Sequence, residues 1–373
     1  MDTLNTDIFW DIAAQLENRD LASGARVCKQ WLPVTQSHLY RHITIDSASK
    51  HVHALGALLF AREDLRRLVR HLTLCRLFGM GRWLSSMYDW LLLLPEQSLV
   101  SVDVKMEDDY AFDILMDFPC VRNARQLTIR KPYLLNREKA ARILASPYLE
   151  SLAVCFEGLP APEGPIHLKR LSVVAEGMPP QLPQILEANS TSTPLHRFDL
   201  RVTTQPNDRE VAQLFRALAI HAQSLTRLAI TSSERITRIP FMDDFILSLP
   251  SVQWLCCAYG TYTSTLLLRI PSSLHTLVLL WGLDGSVLVR DPHGIGFIAG
   301  ARPENIPFPS ANFAQTMRRM SPTGNASLRR LVIALPKLLR DPCQEVAAAC
   351  SDAGIRFERV RMDNPVLDIM DRN

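Results

Sequence analysis

The chain has 373 residues, 47% apolar and 21% charged, with 41 basic against 38 acidic side chains for a formal charge of +3. This is the composition of a folded chain rather than a disordered one, and the charge excess is too small to argue for nucleic acid or membrane. The pI near 8.4 also lies below the range of dedicated nucleic-acid domains.

The N-terminus, Met1-Asp2-Thr3-Leu4-Asn5-Thr6-Asp7, is acidic and polar, unlike a signal or transit peptide. The most apolar short runs, Trp90 to Leu94 and Leu277 to Trp281, fall far short of the ~20 residues of a membrane span. The eight cysteines form no CxxC pair, and several sit in apolar strand-like runs. They are expected to be free thiols of a reducing compartment, cytoplasm or nucleus. The sequons at Asn189 and Asn325 are then chance matches.

Leu4, Ile8, Ile12 and Leu16 recur every four residues, the stripe of one helix. Thr6 or Asp7 supplies its cap, and Asn18-Arg19 ends it. Asp20 caps a second helix carrying Leu21, Ala25 and Cys28, with Val27 and Trp31 widening its apolar face. Pro33 marks the next break. A third helix runs through Leu39-Tyr40, and Ile43-Thr44-Ile45 alternates as a strand. So few residues make a core too small to be stable without a partner or a neighbouring domain.

The string Leu4-x3-Ile8-x3-Ile12-x3-Leu16-x3-Asp20-Leu21, then Val27-Cys28-Lys29-Gln30-Trp31, then Leu39-Tyr40-Arg41-His42-Ile43, resembles the F-box. It is most similar to fungal F-box proteins that begin directly with this motif. The resemblance covers residues 3–45, and Val-Cys-Lys-x-Trp is its most distinctive part. It implies a helical module over residues 1–46 that packs against the adaptor subunit of a Skp–cullin–F-box ubiquitin ligase, and through it a cullin. Leu4, Ile8, Ile12, Leu16, Leu21, Val27 and Trp31 would be the adaptor contacts. Asn5 stands where the family has proline, which removes a rigid first turn, and Asp7 stands where it usually has Glu. Read without the family, the same side chains simply close a three-helix core, and both roles stay open for each of them.

From residue 65 on, one pattern recurs: apolar, two others, apolar, one other, apolar. Its central positions are 72, 102, 127, 152, 171, 198, 228, 255, 277 and 331, separated by 19 to 30 residues with a last gap of 54. That period, with helical stretches at 51–65, 136–145 and 209–221, is the sign of a leucine-rich-repeat-type solenoid. The fold class expected is an α/β repeat: a small all-α module, then parallel strands on a concave face with helices or extended segments on the convex one. The solenoid would span 47–362, with a loop insertion at 282–322 around the Gly/Pro-rich stretch 291–309, and 363–373 as a tail. Phe357-x-x-Val360-x-Met362 reads as the last repeat. The 19-residue gap, with Pro160, Pro162 and Pro165, has room only for an extended connection. No asparagine follows the strands at a fixed position, so the turns must be satisfied in varied ways.

Side chains alternate along a strand, so the residue before each central apolar position faces the concave side. There Arg170, Arg197 and Arg227 fall in consecutive repeats, followed by Trp254. Like charges stacked ~4.8 Å apart invite a carboxylate, either from nearby or from an acidic or phosphorylated target protein. Asp199 and Arg201 extend this face, and Trp254, Cys256, Ala258, Val278 and Leu280 make its later half apolar. Arg170, Arg197, Asp199, Arg201, Arg227 and Trp254 are therefore the candidate target contacts. Arginine stems lying over apolar surface, and a late face covered by the long loop or the tail, would explain the same residues without a target.

No enzyme signature is present. GxxxxGK[ST], HExxH and GxSxG are missing, and Gly294 to Gly300 has the wrong spacing for a dinucleotide turn. The acidic clusters at 107–109 and 243–244 read as solvated loops or helix starts. No cofactor or metal is expected. Three roles fit: a non-catalytic ligase receptor; an interaction solenoid whose first helices serve as its cap; and a sensor whose apolar patch takes a small molecule or peptide.

Overall fold

The computed structural model of the chain describes residues 6–46, 48–75, 87–105, 114–130, 137–156, 160–190, 193–202, 204–232, 237, 239–281, 309–320, 327–335 and 343–361. Leu4, the stretch 282–308 that holds most of the expected loop, Asn325, and the tail lie outside them. The chain divides into two compact units, residues 1–155 and 156–373.

The first unit begins with α1 (Thr6–Gln15), α2 (Asn18–Gly24) and α3 (Trp31–Arg41). Phe9 and Ala13 of α1, Leu21 of α2 and Val34 of α3 are buried together, with Leu16, Trp31 and Leu39 packed around them. Phe9 meets Trp31 edge to face, with ring centroids 5.0 Å apart. α1 carries two apolar stripes, and it buries the one through Phe9, Ala13 and Leu16 rather than the one through Ile8 and Ile12. The expected second helix is shorter and starts earlier. It ends at Gly24, where an added Cβ would meet Thr35 at 3.2 Å, and Val27 and Cys28 follow it outside any helix. Pro33 opens α3 instead of breaking the chain, because a first-turn residue needs no helical N–H bond.

α3 runs directly into β1 (His42–Asp46). β1, β2 (His71–Cys75), β3 (Ser101–Lys105), β4 (Gln126–Ile129) and β5 (Ser151–Phe156) lie parallel in that order. One line of register joins Ile43, Leu72, Val102, Leu127 and Leu152. β1 is thus the first rung of the repeat although it lies inside the 1–46 segment. The returns between rungs are α4 (Val52–Ala61), α5 (Glu63–Arg66), a 3-10 turn at Asp89–Leu93, and short helices at Pro119–Arg122 and Arg137–Leu144. Leu59, Trp90, Leu91 and Val121 bury the inner faces of these returns.

In the second unit β6 (Arg170–Ala175), β7 (Arg197–Val202), β8 (Arg227–Ser232), β9 (Trp254–Cys257), β10 (Thr276–Leu280), β11 (Arg330–Leu335) and β12 (Arg356–Arg361) are again parallel and in chain order. Leu171, Phe198, Leu228, Leu255, Leu277, Leu331 and Phe357 share one register line. Phe357 therefore sits at the central position, three residues from the frame the pattern assigns it. Arg359 stands where the pattern wants a second apolar residue, and such charges suit an edge strand. Residues 160–169 hold no helix or strand, with bends at Glu163, Gly164 and Lys169. Part of the expected insertion is a helix, Ser310–Met320, whose Phe313, Ala314 and Met317 are buried.

A row of serines ties the entry of later strands to the preceding repeat. Ser224, Ser251, Ser273 and Ser327 each lie three residues before a strand, and each hydroxyl donates to a carbonyl of the preceding repeat: Leu195, Gln223, Val252 and Pro271. Asn189 does the same work once, accepting from Leu168 N–H at 2.7 Å and donating to Leu168 and Thr193 carbonyls. Its amide is buried and committed, so this sequon is closed to a glycan in the folded chain. All eight cysteines are free thiols. Burial holds Cys256 and Cys257 well above the usual thiol range and pushes Cys120 up to about 12.

Candidate functional site

Two surfaces gather the residues singled out from the sequence, one in each unit. On the first three helices those residues divide. Leu21 is buried, and Leu16 and Trp31 pack around the module's core. Ile8, Ile12 and Val27 are 44%, 41% and 70% exposed. Ile8 and Ile12 are one turn apart on α1 and so are neighbours on its outer face. Trp10 and Leu32 are also exposed large apolar side chains that the four-residue stripe does not include. Trp10 packs against His38, ring centroids 5.1 Å apart. Burial, and then the neighbouring Arg41 charge, lowers the pKa of His38, so that imidazole favours its neutral form. Five large apolar side chains of this small module, Ile8, Trp10, Ile12, Val27 and Leu32, are thus left exposed.

In the second unit Arg170, Arg197, Arg227 and Trp254 stand on one register line across four neighbouring strands. A like-charged row of this kind is destabilising unless it is compensated. The compensation comes from Asp199, 3% exposed. Its Oδ2 accepts from Arg197 Nε at 2.5 Å, and its Oδ1 lies 3.9 Å from Arg227 Nε. The Arg227 guanidinium lies over the Trp254 ring, 4.1 Å from its centroid, a cation–π contact. Arg201 is buried beside them. Arg170 is exposed, and Arg197 keeps a third of its side chain in water. Of the six candidate contacts, Arg170 and Arg197 thus face solvent, while Asp199, Arg201, Arg227 and Trp254 lie beneath as support.

The same device recurs on β11 and β12. Glu358 accepts from Arg330 NH2 at 2.7 Å and pairs with Arg356 Nε at 2.8 Å. Arg330 and Arg356 occupy the register line of Arg170 and Arg197. The repeated Arg-x-acid spacing, Arg197-x-Asp199 and Arg356-x-Glu358, was the signal that could have found this second clamp. In the first unit the equivalent line carries His42, His71, Ser101, Gln126 and Ser151 in place of arginines. His42 Nε2 pairs with Thr73 Oγ1 at 3.0 Å and His71 Nδ1 with Ser101 Oγ at 2.8 Å.

The expected apolar half of a target groove is not open. Trp254, Cys256, Val278, Leu280, Val332 and Ala334 form one buried cluster with Ala229, and Val360 packs against it. Ala258 is buried as well. The reason is legible in the runs Trp254 to Ala258, Leu277 to Leu280 and Leu331 to Leu335. They are apolar without alternation, as in strands covered on both faces. Asp243 lies in the first turn of the helix Phe241–Phe245, but it is buried rather than at the surface, and its carboxylate accepts from Thr263 N–H at 2.9 Å and Thr263 Oγ1 at 2.5 Å.

Among the described residues no group of three or more His, Cys, Asp or Glu side chains could hold a metal ion. None of the described helices is long and apolar enough to cross a membrane. A scan against protein-family models and a search of curated proteins both find no match to this chain.

Proposed function

We propose that the chain is the substrate-recognition subunit of a Skp–cullin–F-box ubiquitin ligase. Its first helices would dock the adaptor, and the basic row of the second unit would receive a target protein. Catalysis by such a subunit is positional: it raises the target's effective concentration near the conjugating enzyme, and none of its own side chains enters the chemistry.

The observation that carries this reading is the division of the F-box-like apolar residues. A three-helix core needs only the inner stripe, yet Ile8, Ile12 and Val27 remain in water. Each such side chain is worth ~1.5–3 kcal/mol on burial against a partner. On the target side, Arg170 and Arg197 offer forked donors for a carboxylate or phosphate. Asp199 holds Arg197 and lies beside Arg227, which in turn rests on Trp254. The target would be acidic or phosphorylated in the segment that crosses these strands.

The test is co-purification of the full chain with the ligase adaptor, beside an Ile8→Arg, Ile12→Arg variant. Both substitutions fall on exposed positions, so the variant should melt as wild type does and lose the adaptor. Failure of a folded wild-type chain to hold the adaptor would end the ligase reading. It would leave the second one, in which the helices cap the repeat. That alternative draws on the direct run of α3 into β1, the edge strand of its unit.

A further inference from the structure

A cavity of the second unit shares none of its described lining residues with either surface. At the carboxyl ends of β9 and β10, a space of about 260 Å3 is lined by Tyr259, Tyr262, Trp281 and Phe313, with exposed Thr263 and Asn312 also on its wall. The rings stand steeply to one another. Tyr259 and Trp281 are 4.9 Å apart at 70°, Tyr262 and Trp281 6.3 Å apart at 58°, and Tyr262 and Phe313 6.3 Å apart at 85°. They are walls of a box rather than a stack.

Those walls are fixed. The Tyr262 hydroxyl donates to the Leu280 carbonyl at 2.7 Å, and the Trp281 backbone N–H donates to the Ala334 carbonyl at 2.9 Å. Phe313 is set by the helix Ser310–Met320. Gly260 makes the turn between the two tyrosines at φ +88°, a conformation that favours glycine.

No charged side chain is among the described residues that line the cavity. One layer back sits the buried Asp243 carboxylate, hydrogen-bonded to the backbone and hydroxyl of Thr263. The neighbouring Arg269 pairs with the Asp244 carboxylate. Among the described residues Asp243 is the charged group bonded directly to the wall, through Thr263, beside a set of ring faces that are themselves electronegative. With the Tyr262 hydroxyl committed to Leu280, the rings offer a cation π surface rather than strong hydrogen-bond acceptors. A compact ammonium would exchange most of its hydration there for ring faces, with Thr263, Ser264 and Asn312 as the polar side chains on the described wall. A cation whose charge is spread over methyl groups loses far less.

We infer that this cavity is a binding site for an alkylammonium group. Two sources carry that chemistry: a free quaternary amine, or a methylated lysine side chain on another protein. The inference does not depend on adaptor docking.

The experiment is saturation-transfer NMR on the full chain with choline, with its neutral isostere 3,3-dimethyl-1-butanol, and with a short peptide bearing trimethyl-lysine or plain lysine. Choline should bind about fivefold more tightly than the neutral isostere, the size of a cation–π contribution at a partly exposed site. The signal should disappear in Trp281→Ala. Because that truncation could disturb β10, Asn312→Lys serves as a second variant: it places a like charge on the wall from an exposed position and should also abolish binding. Binding of the peptide only when methylated assigns the lysine source, and binding of choline without the peptide assigns the free amine. Equal binding of the neutral isostere, or no binding of either cation, overturns the inference.

Discussion

Asp199 and Glu358 each hold two arginines with one carboxylate, but they differ in depth, and so should the consequences of losing them. Glu358 lies on the edge strand β12 with about a quarter of its side chain in water. The hydrogen bond from Arg330 holds its carboxyl below the usual glutamate range. Burial opposes that shift, and the charges of Arg330 and Arg356 reinforce it. A carboxyl whose folded pKa is depressed stabilises the fold above its unfolded pKa, ~4.3 for glutamate. That contribution is lost as pH falls through the lower folded value. Acid unfolding of the wild-type chain should therefore steepen below pH ~4.3. Glu358→Gln should flatten that limb and cost about 0.5–1 kcal/mol at neutral pH, because the pair is partly screened by water. Chemical denaturation at a series of pH values reads both effects, and an unchanged slope in the variant would show that the clamp contributes nothing to the acid limb.

Among the elements, α4 and the serine row show opposite ways of fixing a return segment to the strands. Gly56 lies inside α4, where replacing it by alanine would ordinarily gain up to about 1 kcal/mol of helix stability. Here a Cβ would come within 2.9 Å of the Met87 carbonyl oxygen. Backbone cannot yield cheaply, so Gly56→Ala should destabilise the first unit by about 1–3 kcal/mol, visible as a lower denaturation midpoint. The serines act through single hydroxyls, and Ser251→Ala, which removes the bond to the Gln223 carbonyl, should cost about 1 kcal/mol. A neutral result there would mean that water replaces the hydroxyl at that carbonyl. The strands were legible in the sequence because one apolar spacing generates every rung, and the central positions from Leu72 to Leu331 fall on the register lines of the two units. Phe357 was read out of frame because Arg359 breaks the spacing. The helix Ser310–Met320 was hidden by the Gly/Pro-rich stretch before it. The outward turn of Ile8 and Ile12 was not legible either, since α1 has two apolar stripes and only packing against α2 and α3 decides between them. The covering of both faces of β9 to β11 was legible in their unalternating apolar runs.

At the scale of the whole molecule, the division into two units bears on how local damage spreads. In repeat proteins each rung contacts mainly its neighbours, so stability is close to a sum of rungs and interfaces. Openings then occur in contiguous groups rather than all at once. Asp199 is a point where these views make different forecasts. It is nearly fully buried, and Asp199→Asn would leave the guanidinium groups of Arg197 and Arg227 facing each other with only a neutral amide between them. Removing one partner of a buried ion pair costs about 3–5 kcal/mol. The partial exposure of Arg197 brings the expected loss here to about 2–3 kcal/mol. If the rungs behave as neighbours, hydrogen exchange in the variant should accelerate at the backbone amides of β6, β7, β8 and β9. Those of β1 to β4 should keep wild-type protection, because none of their hydrogen bonds depends on this row. Acceleration spread evenly over the strands of both units would instead mean that the chain opens as a single cooperative body. The basic row would then be tied to the stability of the first helices as well as to the target they are proposed to present.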